Sequence, residues 1–179
     1  MKRRLSLLLA VVMVLGSFSF AFAANDEIKP AEFLEEQGIL EGDTEGDLML
    51  DKPLLRRDSV VLLSRLMKAD EDEVKVFKKE GLPTFKDITD NHYVGYLAWA
   101  QSEGYIIGKD EKGEKFGFND NLTAKEYSTI LLRALDYGEE AKKQDKVLET
   151  AEKMGLLKDV DKEAEFTRKD MAQMTFNAL

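Results

Sequence analysis

Apolar residues recur three, four and five positions apart in three separate stretches of the chain, each the mark of one buried helix face. The stretches run from Leu54 to Met67, from Leu122 to Leu135 and from Phe166 to Leu179. Laid over one another they share columns. Leu54, Leu122 and Phe166 begin them, and Arg57, Lys125 and Lys169 form a basic column. Asp58, Glu126 and Asp170 form an acidic column, and Leu62, Ile130 and Met174 lie in the apolar seam. Thr123 and Thr167 stand at the N-cap position with Glu126 and Asp170 three residues on, the spacing of a capping box. The first copy has Leu55 there and predicts a weaker start.

Ahead of each of these helices the pattern predicts a shorter one that ends at Gly38, Gly104 or Gly155, the left-handed C-cap position that glycine takes without a steric penalty. Two or three apolar residues follow each glycine, then a polar, turn-rich loop. The repeating unit is helix, glycine stop, loop, helix. One such hairpin cannot bury its apolar face alone, so three are expected to pack together into an all-α fold with rough threefold symmetry. The charged runs between copies, around residues 70–84 and 138–146, read as solvated connectors or short surface helices.

The first 23 residues read differently. Basic Lys2, Arg3 and Arg4, an apolar run and small residues at Ala21 and Ala23 are the marks of a signal peptide over residues 1–23. Its removal takes away three basic residues and no acidic one, so the net charge moves from −9 to −12. Such an acidic chain is not expected to bind nucleic acid, nor the membrane after signal cleavage. Any anionic ligand must be caught by a few placed cations. The chain has no cysteine, which excludes disulfides, thiolate metal sites and cysteine nucleophiles. His92 is the only histidine and has no partner in sequence for a metal site. The acidic loops at Asp43, Glu45 and Asp47 and at Asp110 and Glu111 lack the glycine and closing glutamate of a calcium loop. No metal or cofactor is expected. No carboxylate or nucleophile has a catalytic context, so the chain is read as a binding protein and not an enzyme.

The stretch from Phe85 to Leu135 resembles an S-layer homology (SLH) domain. The residues that carry the likeness are the opening Phe85-Lys86-Asp87, the aromatic at Tyr93, the Ala-rich helix with Trp99, the stop at Gly104, the Phe-Gly-Phe-Asn-Asp loop end and the capped helix start. Copies over 24–69 and 139–179 look like shortened members of the same family, with residues 70–84 as a connector and 85–138 as the complete copy. The resemblance implies a pseudo-threefold spindle of helices that holds an exported protein to the bacterial cell surface. It implies a cell-wall polysaccharide partner, with an acidic pyruvylated sugar seated in grooves between repeats, and S-layer or other surface proteins as further partners. A structural role through self-association is the alternative.

The Arg of the family's Thr-Arg-Ala-Glu motif maps onto Arg56 and Arg168. The second copy has Ala124 there and keeps only Lys125 beside it. The resemblance adds Tyr93 as a groove aromatic and Gly42 and Gly108 from the glycine-bearing loops. A guanidinium grips a carboxylate with two parallel hydrogen bonds, which suits these isolated arginines to a pyruvate ketal. Trp99 is expected in the core. One or two working grooves are expected in place of three. A third alternative is that the chain is the anchoring part of a longer surface protein.

Overall fold

The computed structural model describes residues 29–80 and 85–179, and among them there are eight helices and no strand. The signal peptide and residues 81–84 of the connector lie outside the described residues. The helices are α1 (Pro30–Glu36), α2 (Arg56–Leu66), α3 (Glu71–Glu80), α4 (Val94–Ser102), α5 (Ala124–Ala134), α6 (Gly138–Lys142), α7 (Val147–Lys153) and α8 (Arg168–Asn177). The protein is all-α. No described helix is long and apolar enough to cross a membrane.

Local chemistry sets the helix ends as the sequence predicts. Gly38, Gly104 and Gly155 take φ of 67°, 77° and 78°. Each closes the same pair of bonds. After α1, Gly38 N–H donates to Glu35 O and Ile39 N–H to Leu34 O, and the same two bonds follow α4 and α7. Thr123 and Thr167 each accept from the amide three residues on, and Glu126 and Asp170 accept in return, so both capping boxes are complete. Leu55 provides no side-chain cap.

The two main helices of one copy hardly touch each other. Instead α2 packs on α4, α5 on α7, and α8 on α1, so each copy hands its second helix to the next and the third returns to the first. Phe33 of α1 meets Phe176 of α8 edge-on at 5.4 Å. The segments leading into α2, α5 and α8 converge. Leu122 N–H donates to Leu54 O at 2.8 Å and Leu54 N–H to Phe166 O at 3.3 Å, so three equivalent, buried residues are joined at the centre. Helices α5 and α8 meet beside them, where the hydroxyls of Tyr127 and Thr175 lie 2.7 Å apart.

Of the two forms expected for the charged runs, the short helix is the one both take. Residues 71–80 form α3, which packs on α4 and buries Val74, and residues 138–142 form α6, which buries Ala141 against its neighbours. Val74, with partly buried Phe77 beside it, seats α3, and Ala141 seats α6. Trp99 is buried in α4 against Tyr105.

Candidate functional site: the interrepeat clefts

Helix exchange between copies leaves a cleft where the start of one copy's second helix faces the loop and second helix of the next. Arg56 opens α2, and its N–H donates to Asp120 O of the second loop at 2.9 Å. Arg168 opens α8, and its N–H donates to Lys52 O of the first loop at 3.0 Å. Asp120 and Lys52 occupy the same place in their loops, two residues before Leu122 and Leu54, so the two arginines enter two copies of one cleft.

The Arg56 cleft encloses about 420 Å³. Arg56 is only 7% exposed, its guanidinium lies 4.8 Å above the Phe116 ring, and its Nη1 is 3.1 Å from Glu126 Oε1. Its buried Nε has no hydrogen-bond partner among the described residues. Burial lowers its pKa, opposed by the carboxylates of Glu126, Asp120 and Asp87. Arg133 of α5 reaches the same cleft and donates to Tyr105 O at 3.2 Å. Burial and then repulsion from Arg56 lower its pKa, and no ion pair joins it to a carboxylate among the described residues. Lys109 stands 3.2 Å from Glu126 Oε1 and 2.8 Å from Asp120 Oδ2; hydrogen bonding to Asp120 raises its pKa against partial desolvation. Lys142 and Gln144 close the far side from the second charged run. Four cations line this wall and Glu126 is the only carboxylate among its lining residues. That carboxylate is already occupied by the Thr123 cap, Arg56 and Lys109. Beside the cations sits Ile107, 56% exposed.

The Arg168 cleft is smaller, about 140 Å³. Arg168 donates from Nε to Leu48 O at 2.8 Å and from Nη2 to Glu41 O at 2.9 Å, so loop backbone already takes its guanidinium. Desolvation lowers its pKa, and Asp58 opposes this. Tyr93, at the start of α4, lines this cleft and donates its hydroxyl to Asp58 at 2.7 Å; burial followed by that hydrogen bond raises its pKa. A third cleft of about 410 Å³ lies between the ends of α2 and α3, with Arg65, Lys68, Lys75 and Tyr96 on its walls.

The residues singled out from sequence therefore divide. Arg56 and Gly108 share one cleft, and Arg168 and Tyr93 share the other. Lys125 lines none of the three, because its column is that of Arg57, one residue further along the helix than the arginine that enters the cleft. Gly42 also lines none of them, and its glycine has a structural cause. A Cβ there would stand 2.8 Å from Gly46 C, and one on Gly108 would stand 2.4 Å from Gly113 C. Both loops fold back so tightly that only glycine fits.

Arg133, Lys109, Lys142 and Gln144 were not read from the sequence. One signal for Arg133 was available, since Arg65 and Arg133 share a column of the repeat. Lys142 and Gln144 carried no signal, since a later connector brings them in. A supporting residue was also missed. Asp87 accepts hydrogen bonds from the amides of Phe116, Gly117 and Phe118 at 2.8, 2.7 and 3.0 Å, which fixes the loop under Arg56. Desolvation works against the charge on Asp87, but these amides together lower its pKa. Comparison of the chain with models of known protein families and with curated proteins finds no match.

Proposed function

We propose that this is an exported, non-enzymatic anchoring protein of the SLH type, its three copies forming the pseudo-threefold spindle, that binds an acidic cell-wall polysaccharide. The observation that carries the reading is the Arg56 cleft, whose lining holds four cations and one already occupied carboxylate on a chain of net charge −9. Although Lys109 and Lys142 also pair with Asp120 and Glu139 at its edge, Arg133 has no carboxylate partner among the described residues. Cations gathered in one cleft focus a positive potential there and attract an anion even on a protein of negative net charge. Arg56 and Arg133 present planar donor groups suited to a carboxylate. Ile107 offers an apolar surface beside them, which matches the methyl group of a pyruvate ketal next to its carboxylate. A sugar without the ketal would lose both contacts.

Pulldown of the protein with purified wall polysaccharide, before and after mild acid removal of its pyruvate, tests the reading. Retention is expected on the intact glycan and lost on the stripped one. Arg56→Ala is expected to weaken retention by about tenfold or more, the loss of one charge-assisted contact of roughly 1.5 kcal/mol. Equal retention on both glycans would refute it.

A further inference from the structure

We propose that Glu41 keeps the Arg168 cleft closed to acidic sugars, so that the protein has one working site at Arg56 and a dormant second one that a single substitution opens. The inference rests on the glycan-binding reading above and adds which cleft works and what silences the other.

The chain supplies its own control, because both clefts are built from equivalent positions of the repeat. Arg56, Glu126 and Arg133 in one correspond to Arg168, Asp58 and Arg65 in the other. The decisive difference is three residues after the glycine stop. There the Arg56 cleft has Ile107, exposed and apolar, and the Arg168 cleft has Glu41. Glu41 places its carboxylate 2.5 Å from Arg65 Nη2, and its own carbonyl accepts from Arg168 Nη2 at 2.9 Å. Arg133, the counterpart of Arg65, has no such ion pair among the described residues. Glu41 thus meets both arginines of its cleft, but only the contact with Arg65 is made by its side chain. The carbonyl contacts to Arg168 persist in any Glu41 variant, so an incoming carboxylate would meet the released Arg65 and Arg168 Nη1, which has no hydrogen-bond partner among the described residues.

Two further replacements point the same way. Lys109 reaches Glu126 at its cleft wall, while exposed Asp43 at the equivalent position caps its own loop, accepting from the amides of Glu45 and Asp47. Lys142 and Gln144 close the first cleft, while His92 and Tyr93 wall the second. The lining of the Arg168 cleft therefore carries two arginines against two carboxylates and keeps no surplus of positive charge. Glu41 and Arg65 also line the third cleft of about 410 Å³, so where the Arg56 cleft is one space of about 420 Å³, its counterpart is divided, with only about 140 Å³ on the side of Arg168.

Calorimetric titration with the methyl glycoside of a pyruvylated monosaccharide released from the wall glycan tests this in the full chain. Wild type is expected to bind one equivalent, lost in Arg56→Ala. Glu41→Ile, which copies the Ile107 position, is expected to bind two, the second more weakly. In the Arg56→Ala background Glu41→Ile is expected to bind one, and adding Arg168→Ala should abolish it. The Glu41 side chain is 61% exposed, so substitution there leaves the core intact, and Glu41→Gln repeats the test without the change of shape. Two equivalents in wild type, with one lost in Arg168→Ala, would overturn the proposal. So would a single equivalent in both Glu41 variants when their melting matches wild type, and either result leaves the glycan reading standing. No binding in wild type, with one equivalent in Glu41→Ile lost on adding Arg168→Ala, would support Glu41 as the block and refute the Arg56 site. No binding in any variant would refute both.

Discussion

Replacing Asp87 by Ala removes the carboxylate that holds the second loop against the rest of its copy. Three amides, those of Phe116, Gly117 and Phe118, lose their acceptor, while the side chains of Phe116 and Phe118 stay 0% and 1% exposed in the core. A hydrogen bond to a charged group contributes about 1.5–3 kcal/mol. Asp87 is partly exposed, so the lower figure applies, and water can enter to satisfy part of what is lost. The expected loss is about 3 kcal/mol, or a fall in melting temperature of roughly 6–12 °C for a chain of this size. Urea titration at neutral pH measures it, with the slope expected to stay unchanged because the surface exposed on unfolding does not alter. The pH dependence gives an independent check. The folded pKa of Asp87 lies below its ordinary value of 3.8. A depressed carboxylate stabilises the fold above its unfolded pKa, and that contribution is lost as pH falls through the folded value. The gap in stability between wild type and Asp87→Asn should therefore hold at neutral pH and shrink below about pH 4. A loss under about 0.5 kcal/mol for Asp87→Ala, or a gap that stays constant into acid, would refute the reasoning.

Gly108→Ala is expected to lower stability by about 1–3 kcal/mol, since its Cβ would meet the Gly113 backbone, and to weaken glycan retention with it. Gly138→Ala, with nothing within 4 Å, should be neutral or slightly stabilising, so thermal melts of the pair separate crowding from a general cost of alanine. Tyr127→Phe is expected to cost about 1 kcal/mol in urea titration, and no more, because the Thr175 hydroxyl still donates to Met171 O. Thr167→Ala should cost about 1 kcal/mol by the same assay through loss of the cap on α8; an unchanged midpoint would mean that Asp170 alone holds that helix start.

The sequence by itself determined the local elements. Glycine in a left-handed C-cap, threonine with an acidic residue three positions on, and an apolar stripe of helical period each act within a few residues, so the chain order alone specifies them. The helix stops at Gly38, Gly104 and Gly155, both capping boxes and the buried column of Leu54, Leu122 and Phe166 follow from that. The arginine column was legible too, because Arg56 and Arg168 repeat at one place in the unit. Which partners meet those arginines was not. That depends on the exchange of helices between copies, which brings Arg133, Lys142 and Gln144 to Arg56 and sets Glu41 and Tyr93 against Arg168. The charge of a cleft is a sum over side chains distant in sequence, and only the packing of the copies on one another decides which of them are summed.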